Sequence, residues 1–423
     1  MRNGCLVASL VLLSAASQGL AQEGVSTKKL SYALLPEGKT LPAGVARFRL
    51  PYQMGSGSSG YDEDGKKGDS PVKFTATGGA IVAEYGLTDK ISLQWKTDFV
   101  LDQKVEVNTG SDAYKGIKSL TYSLKTASLA TATQSTITDE TSLATAIKKA
   151  FIGGCQQGGG SAETCATNYE NGTLTSASAG AIGLGDAFGA GNAGVSAKAY
   201  ATAAAAGTEK QISSGIAAEV ESKGGRGMGD TILGVLYEAY DSGSTFVALA
   251  GGLRIPTGNR DLSGNELDTT RGAWEVGARI NVDVLPVDWF MVSWQNQSEV
   301  GLLGASRKQD GVSVDMKRDG VRNVGFVYLK PSLEAMMPGL ESLRASVGIT
   351  YDFDSAQKLT SEGVEITSDR TSTVWNYASL GYSFLGMGLP LQLDLEHEIP
   401  NQGKNATIAP TKTTVTAKAF ARF

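Results

Sequence analysis

The sequence predicts an all-β fold, a transmembrane antiparallel β-barrel of about twelve strands, with an Ala/Gly-rich, partly helical insert after strand three. Two observations carry this expectation. Segments of about ten residues alternate apolar and polar side chains, the period of a sheet that meets two different solvents. The connections between these segments alternate short and long, as they do when one end of a barrel carries tight turns and the other carries loops. Composition agrees: glycine is abundant at 53 residues, histidine is single, and overall hydrophobicity is average, as apolar and polar faces together require.

The chain opens with Arg2, an apolar run from Leu6 to Ala16 and the small-residue site Gly19-Leu20-Ala21. This reads as a signal peptide over 1–21, cleaved near Ala21, and it is too short for a membrane anchor. Cys5 has no lipobox around it. A periplasmic N-terminal segment, 22–42, then leads into the barrel, 43–423, which is interrupted by the insert 102–228. No later run of about eighteen apolar residues offers a spanning helix. The net charge of −5 is mild and argues against nucleic acid as a partner.

Strands are expected over 43–52, 72–85, 90–101, 229–240, 245–255, 272–284, 287–300, 321–335, 342–354, 373–384, 389–398 and 411–423. The third has Ile91, Leu93, Trp95 and Phe99 on one face against Ser92, Gln94, Lys96 and Asp98. The ninth sets Leu343, Val347 and Ile349 against Arg344, Ser346 and Asp352. The second, seventh and eighth sort less cleanly, so the count carries a margin of two. Short turns follow the even-numbered strands: Gly86 to Asp89, Asp241 to Gly243, Leu285-Pro286, Pro338-Gly339 and Gly386 to Gly388. With both termini on the periplasmic side, the longer polar loops are extracellular. A soluble β-sandwich would explain the alternation but not the leader, the loop asymmetry and the terminal strand together.

That last strand reads TKTTVTAKAFARF. Val415, Ala417, Ala419 and Ala421 share one face, and Thr416, Lys418 and Arg422 the other. It resembles the closing strand of Gram-negative outer-membrane barrels, which implies that Phe423 forms part of the signal read by the barrel assembly machinery. The expected location is therefore the outer membrane, with its lipids as surroundings.

Within the insert, Leu143, Ile147 and Phe151 recur at helical spacing behind the capping candidates Asp139 and Thr141, and Ile212, Ile216 and Val220 repeat the pattern. Cys155 and Cys165 are expected to pair in an oxidising compartment. The insert has three possible places: a plug or constriction in the lumen, an extracellular cap, or a surface loop.

No cofactor, metal or catalytic residue is expected. Gly183, Gly185 and Gly189 lack the strand and the Gly-Lys-Ser/Thr of a phosphate loop. Asp62, Asp64 and Asp69 match a calcium loop only at its start. His397 points outward without a nucleophile or an orienting partner, so an enzyme is not expected. The residues expected to carry function are the charges of the lumen: Arg47, Arg49, Lys96, Asp98, Arg254, Glu275, Arg279, Asp283, Arg344, Asp352, Asp394, Glu396, Lys418 and Arg422. They either neutralise one another across the barrel or set the selectivity of a hydrated pathway.

Several stretches resemble the outer-membrane family associated with the meta-pathway of phenol degradation, which is related to hydrophobic-compound transporters. They are Leu41 to Arg47 (LPAGVAR), Tyr85 to Leu93 (YGLTDKISL), Gly227 to Asp230, Leu233-Gly234, and Leu249 to Gly258 (LAGGLRIPTG). The resemblance implies a barrel that passes small, often aromatic or apolar compounds. The large insert and its cysteine pair depart from that pattern. The expected function is thus a porin-like channel or transporter for passive passage of small molecules, the insert narrowing or gating it. The alternative is a structural or surface-interaction barrel with a closed lumen. The oligomeric state is left open.

Overall fold

The computed structural model describes residues 39–174, 196–221 and 224–422, apart from 259–260, 263–266, 268, 272, 310–311, 317–319, 334–339, 341, 356 and 362–363. The leader, the Gly/Ala tract with Gly183, Gly185 and Gly189, and Phe423 lie outside the described residues. The chain divides into two compact units, 1–105 with 222–423, and 106–221.

The first unit is a closed barrel of twelve strands. They are β1 (Val45–Tyr61), β2 (Lys67–Thr88), β3 (Ile91–Val107), β4 (Gly227–Asp241), β5 (Thr245–Ile255) and β6 (Ala273–Val287). The set continues with β7 (Phe290–Gln309), β8 (Val321–Pro331), β9 (Leu343–Asp354), β10 (Thr371–Ser383), β11 (Leu391–Lys404) and β12 (Thr411–Arg422). Each strand bonds to the next, and β12 returns to β1 in a register from Val45↔Arg422 to Ser56↔Thr411. Closure matters because an open edge would leave backbone groups unsatisfied in lipid.

Two registers show how residues sort between the faces. On β9, Val347 and Ile349 stand exposed while Arg344 reaches past β10 to Asp394 of β11. On β5, Leu249 is exposed while Arg254 reaches past β6 to Glu299 of β7. Side chains that meet across an intervening strand lie on the converging, inward face of a closed barrel. The outward face carries Phe48, Leu50, Leu93, Leu233, Val235, Val347, Leu393 and Leu395, all exposed. Large aliphatics held out in this way are the signature of a barrel with an apolar solvent outside.

Strand boundaries differ from expectation mainly at the loop end. The Gly/Ser-rich stretch Gly55 to Gly60 is strand rather than loop, because β1 and β2 keep pairing out to Tyr61↔Lys67. In a closed sheet the neighbouring strand satisfies the backbone whatever the side chain, which overrides the low strand propensity of glycine and serine. The β2–β3 turn falls at Asp89-Lys90, three residues later than Gly86. Gly86 remains strand, and it must be glycine because a Cβ there would sit 2.0 Å from the Pro42 carbonyl oxygen. Short strands in the loops, 312–316 on the end of β7 and a hairpin of 357–361 with 364–368, add a rim to the loop end.

The second unit is helical: α1 (Asp112–Lys125), α2 (Ala127–Thr133), α3 (Glu140–Gln157), α4 (Ala162–Glu170) and α5 (Ala197–Val220). Of these, α3 and α5 are the two expected from the sequence. Ser111, Ser161 and Ser196 each cap a helix by accepting a backbone N–H, and Asp139 with Ser142 forms a capping box on α3. The helices share a core of Tyr122, Leu143, Ile147, Phe151, Tyr169, Tyr200 and Ile212. The Cys155–Cys165 disulfide ties the end of α3 to α4, with Cα atoms 5.8 Å apart. Closing so short a loop contributes roughly 3 kcal/mol at most.

Candidate functional site

The inward face of the barrel carries a lattice of ion pairs rather than scattered charges. Its densest node is Arg254, whose side chain is 10% exposed. Its guanidinium lies 3.0 Å from Glu275, 2.9 Å from Glu299, 3.8 Å from Asp98 and 3.9 Å from Asp230. Arg271, from the loop before β6, adds contacts of 3.1 Å to Glu275 and 2.8 Å to Glu299. That loop is also held by its backbone, since Arg271 N–H donates to Asp230 at 3.0 Å and the Thr269 hydroxyl donates to the Met228 carbonyl. Two guanidiniums thus share two carboxylates, Arg254 spreading its nitrogens over both glutamates, a reach that a single lysine ammonium does not match. A cavity of about 50 Å³ beside the node is lined by Gly234, Gly252, Gly277, Arg254, Arg279 and Gln297, and is large enough for a water or two.

A second node spans β9, β11 and β12. Arg344 and Lys418 converge on Asp394, Lys418 at 3.1 Å, and Arg344 also donates to Gln392 at 3.3 Å. Lys418 stands opposite Arg49 in register, and Arg49 and Arg47 share Glu84 of β2 at 3.8 and 2.7 Å. Lys96 pairs with Asp98 at 2.8 Å, Arg322 with Asp352, and Lys412 with Glu398 at 3.4 Å. Asp283 accepts from the Ser293 hydroxyl, and Arg279 donates to Gln94 at 3.4 Å. Glu396 stands on the same face, opposite Thr414, and Arg422 lies exposed at the turn end opposite Val45.

Between the two nodes the wall is aromatic. Phe326 stacks on Tyr328 with centroids 4.3 Å apart, and Tyr328 on Tyr377 at 5.4 Å. Gly348, between Tyr328 and Tyr377 in register, gives these rings room: a Cβ there would lie 2.6 Å from Tyr328. Lys330 lies over the Tyr328 ring and Lys412 over Trp375.

The turn end of the lumen is covered by residues 39–42, ahead of β1. Leu41 N–H donates to the buried Ser92 hydroxyl at 3.0 Å, and the Thr40 hydroxyl donates to the Asp89 carbonyl. Lys39 pairs with Asp241 at 2.8 Å and lies over the ring of Phe246, which is fully buried. These residues pack on the inward faces of β3 and β5 instead of hanging below the barrel.

Outside the lattice, His397 sits on the outer face with Nδ1 2.9 Å from the Thr413 hydroxyl. Asp62 accepts the N–H groups of Asp64 and Lys66, which makes it a turn residue. Among the described residues, no group of His, Cys, Asp or Glu is arranged to hold a metal ion.

The lattice also contains Glu84, Asp230, Arg271, Glu299, Arg322 and Gln392, which alternation alone does not mark as lumen charges. Glu84 sits in a run, GAIVAEY, that is apolar on both faces, because Ala80 and Val82 are buried inward while Ile81 points out. Glu299 follows Gln295 to Ser298, which is polar on both faces. Anchoring the parity on Trp294 and Val300, both exposed, would have placed it correctly. Arg271 comes from a loop, where no periodicity exists.

The chain matches the family described as a putative MetA-pathway of phenol degradation over residues 148–295, about a third of its length. It thus resembles that family from α3 into β7. Among solved structures it is similar to an outer-membrane channel from Pseudomonas putida F1, at 14% identity and a TM-score of 0.51, covering 92% of this chain and 100% of that one. The translocator domain of the autotransporter NalP from Neisseria meningitidis matches at 8% identity and a TM-score of 0.33, over 99% and 96% of the two chains. The toluene transporter TodX from P. putida matches at 9% identity and a TM-score of 0.30, over 90% and 91%. The first of these shares the fold; the other two score below that level. No curated protein matches the chain by sequence.

Proposed function

We propose that this protein is an outer-membrane channel through which small molecules pass, without covalent chemistry. Its turn end faces the periplasm and its loop end the exterior. The observation that carries the reading is the closed barrel, apolar outside and lined inside by ion pairs on β1–β9, β11 and β12. Such a lining keeps a pathway hydrated while holding few unbalanced charges, which suits small solutes better than strongly selected ions. The description of the matching family, which names phenol degradation, favours aromatic compounds as solutes. The helical unit 106–221 narrows or gates the path, and the charges of the lattice, Arg254 and Arg344 foremost, set which solutes enter.

Discrete conductance steps in planar bilayers are expected from the purified protein, and larger steps after replacing residues 106–221 by a short glycine-rich linker. Silent bilayers from both proteins, each heat-modifiable on a gel and therefore folded, would refute the channel.

One observation favours a second reading, a barrel closed for structural or surface-contact duty. Residues 39–42 cover the turn end, and Phe246, Met291 and Gln392 have almost no exposure. Unchanged solute uptake with altered envelope integrity in a deletion strain would select it.

A further inference from the structure

On most of the outer wall the apolar face continues to the loop end, with Leu101 on β3, Leu302 and Leu303 on β7 and Val321 on β8 all exposed. One sector differs. Along β2, β1 and β12 the outward rung after Met54 consists of Thr75, Ser56 and Thr411, three hydroxyls in direct register. One rung further, the exposed Lys73 follows Thr75 on the same face of β2, and the exposed Lys67 begins that strand. These side chains line a groove of about 340 Å³ that also includes Ile399 of β11, itself outward and exposed. No carboxylate lines it, and among the described residues neither lysine has an ion-pair partner.

A run of hydroxyl donors topped by two ammonium groups, beside the exposed Met54 and Ile399, is complementary to a phosphorylated headgroup whose acyl chains lie along the wall below. We propose that this groove binds the phosphorylated glycolipid headgroup of the outer leaflet, with Lys67 and Lys73 on phosphate and Ser56, Thr75 and Thr411 donating to phosphate or sugar oxygens. Ile399 then meets the first methylenes of an acyl chain. This rests on the reading of the chain as an outer-membrane barrel, though not on its conducting solutes.

The test uses the full-length protein folded in detergent, with bisphosphorylated hexa-acyl lipid A, its dephosphorylated form and phosphatidylethanolamine as probes, read by native mass spectrometry. Lipid A should bind in preference to both other lipids, and K67A/K73A should weaken it about thirtyfold, at about 1 kcal/mol per lysine. The control K115A/K125A, on α1, should bind as the parent does. Binding of lipid A within twofold of the parent by K67A/K73A would overturn the site, as would equal binding of the dephosphorylated lipid. Self-association of the parent abolished by K67A/K73A would instead assign the groove to a second copy. Conductance measured on the same preparations separates the two readings: a conducting parent without lipid preference sinks the groove alone, and a silent parent with lipid preference sinks the channel alone.

Discussion

Replacing Arg254 by Met tests the lattice most directly, because the substitution keeps the volume and removes the charge. It leaves Glu275, Glu299 and Asp230, each with at most 6% exposure, facing Arg271 as the remaining guanidinium of the node. A contact near 3 Å is worth about 5 kcal/mol at an effective dielectric constant of 20, and Arg254 makes two of them, so the gross loss is large. The realised cost is smaller, because protonating one glutamate relieves the repulsion. From an ordinary carboxylate pKa of about 4.3 to pH 7 that escape costs about 3.7 kcal/mol, which sets the ceiling. Breaking a buried pair one-sidedly typically costs about 3–5 kcal/mol, so a loss of about 3–4 kcal/mol is expected at pH 7. At pH 5 the same escape costs only about 1 kcal/mol, and the deficit should shrink towards that value. Urea unfolding in lipid vesicles followed by tryptophan fluorescence reads both numbers. R254M/E299M should recover part of the loss, as paired substitutions in one node do. A deficit under about 1 kcal/mol at pH 7, or one unchanged at pH 5, would show that the node is solvated and that its apparent burial does not decide its energetics.

Further expectations concern both units. C155A/C165A should destabilise the helical unit by roughly 3 kcal/mol at most, seen as faster proteolysis within 106–221, while the heat-modifiable shift of the barrel stays. Tyr122 donates to Glu209 at 2.6 Å, and Y122F should cost about 1 kcal/mol of helical-unit stability in near-ultraviolet circular dichroism. Burial alone would raise the Glu209 carboxyl, but hydrogen bonds from Lys118, Tyr122 and Ser213 outweigh it and hold it below the usual range. Its contribution is therefore present above the ordinary glutamate pKa and lost as pH falls below it, so acid should loosen α1 from α5 and Y122F should move that loss to higher pH. G348A should cost about 1–3 kcal/mol of barrel stability, because its Cβ would fall 2.2 Å from the Val327 carbonyl oxygen; an unchanged urea midpoint would contradict the close packing of the aromatic wall.

What the sequence made legible follows the strength of each signal. Leu391, Leu393 and Leu395 against Gln392, Asp394 and Glu396 state their faces without ambiguity, and β11 pairs accordingly. Thr245 to Ile255 and the Cys155–Cys165 bridge stand where the residues suggested. Parity says which side a charge is on but not how far it reaches. The convergence of Arg254 and Arg271 on one pair of glutamates was invisible because β5, β6, β7 and a loop supply the members. Helices α2 and α4 are short and rich in threonine and alanine, so they carry no long apolar stripe, whereas α1 does place Ile117, Leu120 and Leu124 at helical spacing and was legible in principle. The run Gly55 to Gly60 was hidden for a different reason, since its strand conformation is imposed by neighbours distant in sequence.

The seam where β12 meets β1 has a consequence for how the molecule comes into being. Val45 pairs with Arg422, so the first strand keeps an unsatisfied edge until nearly the whole chain has been delivered. The helical unit makes its contacts within residues 106–221 and is free of that delay. Folding should therefore run in two tempos, a fast local collapse of the helices and a slow final zipping that joins the two ends of the chain. Because those ends meet on neighbouring strands, the break in the ring is a matter of chain order rather than of architecture. A permuted chain opened at the Ser242 to Ser244 turn, with a linker across the present seam, should close into the same barrel and move the slow step to the new junction.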